Sequence, residues 1–210
     1  MNNYSTDFIL TKANSFAKKG RISEASQLYS SIIKKFPQNK LAKDGLINAH
    51  DYLAIVYKKE LLFLYNNGNL DLVIKKALPL TCELTHSVFI WNILGSSYLA
   101  QEKFHKAIEN FEQILKIKPD IPEVYNNIGI AFSNYNKPHK AIESYKQAIK
   151  IKPNYADAFN NMGAALAENG NLEKAIESYK LAIQIKPDYT DAYNNMGVAL
   201  EKQGNLDDAI

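Results

Sequence analysis

A chain of 210 residues, 46% hydrophobic and 22% charged, has an ordinary folded composition with enough apolar material for a core. The formal net charge is +3, Arg21 is the only arginine and the lysines are scattered in short pairs such as Lys18-Lys19 and Lys75-Lys76. That speaks against a nucleic-acid surface, where a concentrated basic face is expected. Cys82 is the only cysteine, the N-terminus lacks a signal-peptide pattern, and no apolar run approaches the roughly 20 residues that span a bilayer. The expected setting is therefore a reducing one, the cytoplasm, without a membrane partner.

Residues 6–39 read as a degenerate helix-turn-helix unit. Gly20 is placed to supply the left-handed residue that ends a first helix, and Ala25, Leu28, Tyr29 and Ile32 recur at three- and four-residue spacing as one apolar face of a second. Residues 40–53 read as a single extra helix with Leu41, Leu46, Ile47 and Leu53 as its candidate buried set, and Asp51 is available to cap the next helix. A second degenerate unit fits residues 54–87. Leu61 and Leu64 mark its first helix, Asn67-Gly68-Asn69 its turn, and Pro79 is expected to kink or shorten its second helix.

From Val88 onward a 34-residue period is plain. Pro119, Pro153 and Pro187 keep that interval, as do Tyr125, Phe159 and Tyr193, the glycines 95, 129, 163 and 197, and the alanines 107, 141, 175 and 209. The units are 88–121, 122–155, 156–189 and a cut-off 190–210. Each is expected to be two antiparallel helices joined by a short turn such as Asn169-Gly170-Asn171. Small residues let the helices approach, and Phe159, Met162, Leu166 and Tyr179 fill the space between them. Lys-Ile-Lys ahead of Pro119 and Pro153 puts positive charge at a helix C-terminus, and Asn154 or Asp188 is available to begin the next helix. In the last unit only Leu206–Ile210 remains of the second helix, so Tyr193, Met196 and Leu200 are expected to be thinly covered. Two readings stay open there, a fragment of a longer protein or a native end with a frayed last helix.

Trp91, Leu94-Gly95, Tyr98, Ala107, Phe111 and Pro119 together resemble the tetratricopeptide pattern W-x2-L-G-x2-Y…A-x3-F…P. The resemblance covers most of the chain. It implies an all-α fold, a right-handed superhelical solenoid of helix-turn-helix repeats whose first helices line a concave groove. The array is most similar to those of O-linked N-acetylglucosamine transferases and of bacterial repeat arrays fused to sulfotransferase domains.

A catalytic constellation is not evident. His50, His86, His105 and His139 fall in different units without Cys, Asp or Glu at metal-ligand spacing, and no cofactor is expected. Glu173 and Glu177, one turn apart beside Lys174 and Lys180, read as a solvated face, and Cys82 as a small helix filler. The sharper signal is asparagine. The pairs Asn126-Asn127, Asn160-Asn161 and Asn194-Asn195 follow the aromatic residue of each first helix, and Asn92 follows Trp91. Asparagine is disfavoured in a helix by roughly 0.5 kcal/mol relative to alanine, so paired asparagines are a repeated local cost. Two roles are open to these amides, gripping the backbone of an extended peptide or bonding to the neighbouring repeat, and simple duplication would copy them in either case. In the transferase arrays an asparagine ladder grips peptide backbones; by motif it falls on Asn127, Asn161 and Asn195 and stops at Ile93. Ile130, Ala164 and Val198 stand where the carboxylate clamp of chaperone-binding repeats needs polar side chains.

The expected function is a non-enzymatic protein-interaction scaffold that takes an extended or helical segment in its groove. The alternative is the substrate-recruiting arm of a larger sulfotransferase or glycosyltransferase. Self-association through the incomplete last repeat is a third possibility.

Overall fold

The computed structural model describes residues 5–204, apart from the side chains of residues 50–54. Among the described residues the regular structure is entirely helical, and the chain divides into two compact units between Ser87 and Val88. The first holds α1 (Thr6–Lys18), α2 (Ile22–Lys35), α3 (Lys40–Asn66) and α4 (Leu70–Glu83). The second holds α5 (Val88–Ala100), α6 (Phe104–Ile117), α7 (Pro122–Asn134), α8 (Pro138–Ile151), α9 (Ala156–Glu168), α10 (Leu172–Ile185) and α11 (Thr190–Gln203).

Each turn inside a repeat is closed the same way. The amide of the residue just ahead of the second helix reaches back five residues: Arg21 to Phe16, Asn69 to Leu64, Lys103 to Tyr98, Lys137 to Phe132 and Asn171 to Leu166, all at 2.9 Å. That closure needs a left-handed residue just before it. Gly20, Gly68 and Gly170 supply it with φ of 73, 73 and 78°, but Glu102 and Asn136 take the same place with φ of 59 and 55°.

Packing between paired helices explains the 34-residue glycines. A Cβ on Gly163 would lie 2.6 Å from the ring of Tyr179, sixteen residues later, and Gly129 stands the same way under Tyr145. Both rings are buried, so the glycine is the space into which the aromatic fits. The pair is inverted in the repeat of residues 54–87: the equivalent positions carry Leu61 and Ala77, both fully buried, the large residue having moved to the first helix. In the second unit Ala141, Tyr145, Ala175, Tyr179, Leu166 and Leu200 belong to one continuous core.

Several expectations need correcting. Residues 40–53 are not a separate helix, because α3 runs unbroken for 27 residues where α1, α5, α7 and α9 have 13. The excess is 27 − 13 = 14 residues, which is also the excess in the Gly20-to-Gly68 interval over the repeat period (68 − 20 − 34). Fourteen residues are about four helical turns, so the insertion lengthens the helix without rotating its apolar face away from α4. The start of α3 buries small residues instead of large ones. Ala42 and Ala49 are buried and Gly45 lies under the Tyr29 ring, while Leu41 and Ile47 are 67% and 58% exposed. Close approach of α2 selects the small stripe and turns the aliphatics outward. Pro79 does not shorten α4, which has the same 14 residues as α2, α6, α8 and α10. Asn154 and Asp188 do not cap: the residues before α9 and α11 are Tyr155 and Tyr189, with no side-chain cap bond. Leu200 is 6% exposed and part of the core, whereas Tyr193 is 47% exposed. His50, the capping role of Asp51, Leu53, Ala209 and the Leu206–Ile210 stub lie outside what the structure describes.

Candidate functional site

In the second unit α7 is wedged between α6 and α8, and α9 between α8 and α10, while α11 packs on α10. First helices also meet one another directly, α7 with α9 and α9 with α11, and no comparable contact links α6, α8 and α10. Successive repeats are thus drawn together on the side of the first helices, which makes that side the inner one. With two faces of α7 and of α9 buried, one stripe of each stays accessible, and the matching positions of α11 are open as well. On α7 it runs through Glu123, Asn127, Ile130 and Asn134, on α9 through Asp157, Asn161, Ala164 and Glu168, and on α11 through Asp191, Asn195, Val198 and Lys202. The steps of four, three and four residues keep these positions on one helix face.

The asparagine pairs divide their work across this arrangement. Asn126 and Asn160, the first of each pair, are 6% and 7% exposed. Each accepts a hydrogen bond from the second asparagine of the following repeat, Asn161 Nδ2 to Asn126 Oδ1 and Asn195 Nδ2 to Asn160 Oδ1, both at 3.1 Å. Bonding to the neighbouring repeat is therefore one of the two roles, and it accounts for the burial of amides in a helix interface. Asn161 and Asn195 keep a second N–H and the whole of Oδ1 after making these bonds. Asn127 lies at the same place on α7, half-buried, and no such bond joins it to the half-buried Asn92 among the described residues. Asn194 is exposed, and Ile93 is buried.

A tyrosine of the next repeat also comes close to Asn160. Burial, followed by hydrogen bonding and charge from Asp157, pushes the Tyr189 hydroxyl up to about 12, while a bond from Asn160 pulls the other way. Asn160, which accepts from Asn195, and Asp157 both lie beside the Tyr189 hydroxyl of the next repeat. The signal in the sequence was the tyrosine immediately before α9 and α11, Tyr155 and Tyr189, which are 34 residues apart. Lysines stack on these rings, Lys152 over Tyr155 at 4.4 Å and Lys186 over Tyr189 at 4.6 Å. Lys152 also pairs with Glu123 at 3.3 Å.

Two other clefts are apparent. One of about 500 Å³ lies away from the amide rows, between Pro153, Phe159, Leu181 and Ile185. The other, of about 370 Å³, lies in the first unit between α1, α2 and α3, with Asn14, Lys18, Tyr29 and Asn48 in its wall. There the Tyr29 hydroxyl donates to Asn14 Oδ1 at 2.6 Å. Among the described residues no cluster of His, Cys, Asp or Glu is arranged to hold a metal, and no helix is long and apolar enough to cross a membrane.

The family emerges from comparison with known proteins. A model of the TPR repeat matches residues 95–134, 136–170 and 165–204, and a second tetratricopeptide-repeat model matches residues 8–39. The chain belongs to the tetratricopeptide-repeat family. Among curated proteins none matches it in sequence. Among solved structures this TPR chain is similar to MamA (residue 41 to the end) from Desulfovibrio magneticus RS-1, with a TM-score of 0.68 and 16% identity over 74% of this chain and 88% of that one. It is similar to YrrB, a TPR protein with an unusual peptide-binding site, with a TM-score of 0.59 and 18% identity over 87% of each chain. The first TPR domain of Spaghetti (RPAP3), solved with an HSP90 peptide, matches at a TM-score of 0.53 and 22% identity over 55% of this chain and 91% of that one. At these identities the likeness concerns the TPR fold.

Proposed function

We propose that the TPR array is a protein-interaction scaffold, and that Asn127, Asn161 and Asn195 hold the backbone of an extended segment along the inner face of residues 122–204. The observation that carries this reading is the state of Asn161 and Asn195. Each is anchored by one N–H to the preceding repeat, which fixes the amide plane, and each keeps one donor and an acceptor on the accessible stripe. A peptide group offers the complementary pair. Preorganised amides lose little freedom when a ligand arrives, which favours affinity. That YrrB and the first TPR domain of RPAP3 take peptides is consistent with such a role for this fold. Asn126 and Asn160 are assigned to repeat cohesion, not to the ligand.

The test is titration of a peptide selected from a random extended-peptide library against the intact chain. Replacing Asn127, Asn161 and Asn195 by Ala removes about three hydrogen bonds of ~1 kcal/mol each and is expected to weaken binding by ~30-fold or more with helicity retained. Equal affinity for the triple variant removes the ladder from the reading. The same rungs would suit the substrate-recruiting arm of a larger glycosyltransferase or sulfotransferase, and a coding sequence that stops directly after Ile210 would refute that version.

A further inference from the structure

The spacing and chemistry of the inner face point to a more specific occupant, one that rests on the peptide-binding reading above. The Asn161–Asn126 and Asn195–Asn160 bonds bring neighbouring first helices into contact at the rungs, and helices in contact lie about 8–10 Å apart, which sets a rung interval of about that length on α7, α9 and α11. A β-strand advances about 3.3 Å per residue and turns its side chains over at each step. Three residues would therefore cover one rung interval but present opposite faces to successive rungs. A polyproline II segment advances about 3.1 Å per residue with three residues per turn, so every third residue returns to the same face after about 9 Å. Its backbone N–H and C=O groups have no internal partners, which is what an amide with one free donor and one free acceptor requires.

We infer that the groove of residues 122–204 takes a polyproline II segment with a three-residue chemical period, every third peptide group meeting Asn127, Asn161 or Asn195. The flanking rows define the rest of the period. Ile130, Ala164 and Val198 form an apolar row toward one edge, suited to the ring of a proline. Toward the other edge Glu123, Asp157 and Asp191 form an exposed row of carboxylates. Lys152 pairs with Glu123 and the Tyr189 hydroxyl lies near Asp157, whereas Asp191 is exposed at the last rung. Apart from Lys152 against Glu123, no cation faces the carboxylate row, and the stripe itself carries none until Lys202, so the occupant's third position is a lysine or arginine. The residue at each rung must carry an N–H and so is not proline.

The probe is fluorescein-labelled (Ala-Pro-Lys)4-amide, titrated by polarisation against the full chain at low salt. Three comparison peptides accompany it: one of the same composition with the order scrambled, one with N-methylalanine at each alanine, and one with Glu for Lys. The period-three peptide is expected to bind at least tenfold more tightly than each of the other three, and Asn161→Ala is expected to reduce that preference. Equal binding of the scrambled, N-methylated or glutamate peptide overturns the inference. So does failure of the period-three peptide when a library-selected peptide binds and depends on the three asparagines, a result that leaves the broader proposal standing. If no peptide of either origin depends on those asparagines, both fall.

Discussion

Introducing glycine should stabilise this protein at two positions. Glu102 and Asn136 hold the left-handed place that Gly68 and Gly170 hold in neighbouring repeats, with φ of 59 and 55°. Both side chains are exposed, so little is lost when they are removed. An L-residue in the left-handed region costs about 1–2 kcal/mol, and the extra freedom of glycine in the unfolded chain returns roughly 0.5–1 kcal/mol of that. Glu102→Gly is therefore expected to gain about 0.5–1 kcal/mol, and Asn136→Gly a few tenths, since asparagine tolerates this conformation. The assay is urea unfolding followed by circular dichroism, where the midpoint should rise with an unchanged slope. Glu102→Ala serves as control: it keeps the Cβ and should leave the midpoint where it was. The converse change, Gly170→Ala, should lose about 1 kcal/mol. If Glu102→Gly proves neutral or destabilising while Glu102→Ala behaves identically, backbone strain is not what distinguishes these turns.

The packing and the clasps make further outcomes measurable. Gly163→Ala places a Cβ 2.6 Å from the buried Tyr179 ring and should cost about 1–3 kcal/mol by overpacking despite alanine's better helix propensity, with Gly163→Ala/Tyr179→Leu recovering most of it in thermal melts. Leu61→Ala empties the inverted large-small pair opposite Ala77 and should destabilise the first unit by about 2–5 kcal/mol in denaturant titration. Asn160→Ala removes the acceptor of Asn195 and a partner of Tyr189, with an expected loss of about 1–2 kcal/mol that Asn194→Ala, on an exposed position, does not share. Burial raises the Tyr145 and Tyr179 hydroxyls to about 12 from an unfolded value of 10. The folded state therefore holds their protons more tightly, and that stability is complete below pH 10 and lost as pH rises toward 12. Tyr145→Phe should flatten this alkaline loss when melting is followed between about pH 9 and 12.

The repeat period and the helix pairs of the second unit were legible because a small residue and the aromatic sixteen positions later recur at Gly95, Gly129 and Gly163, and the turns were legible where Gly20, Gly68 and Gly170 mark them. The first 87 residues were harder to read for a related reason. Their code is altered by compensation, as when Leu61 and Ala77 exchange sizes, and compensation is visible only once the partners are known to face each other. The unbroken α3 illustrates a different limit. Nothing local at Asp51 forbids or requires a break, and an insertion of about four turns preserves helix phase, so one helix and two give similar sequence patterns.

By itself the sequence determined the family, the alternation of first and second helices, and the row of paired asparagines, because these repeat at a fixed interval and recurrence is a property of the chain alone. Only the tertiary structure decided which of these amides the neighbouring repeat occupies. Adjacent residues on a helix point about 100° apart, and the choice between them depends on where the neighbouring repeat presses. That contact buries Asn126 and Asn160 as acceptors and leaves Asn161 and Asn195 anchored on one side and open on the other.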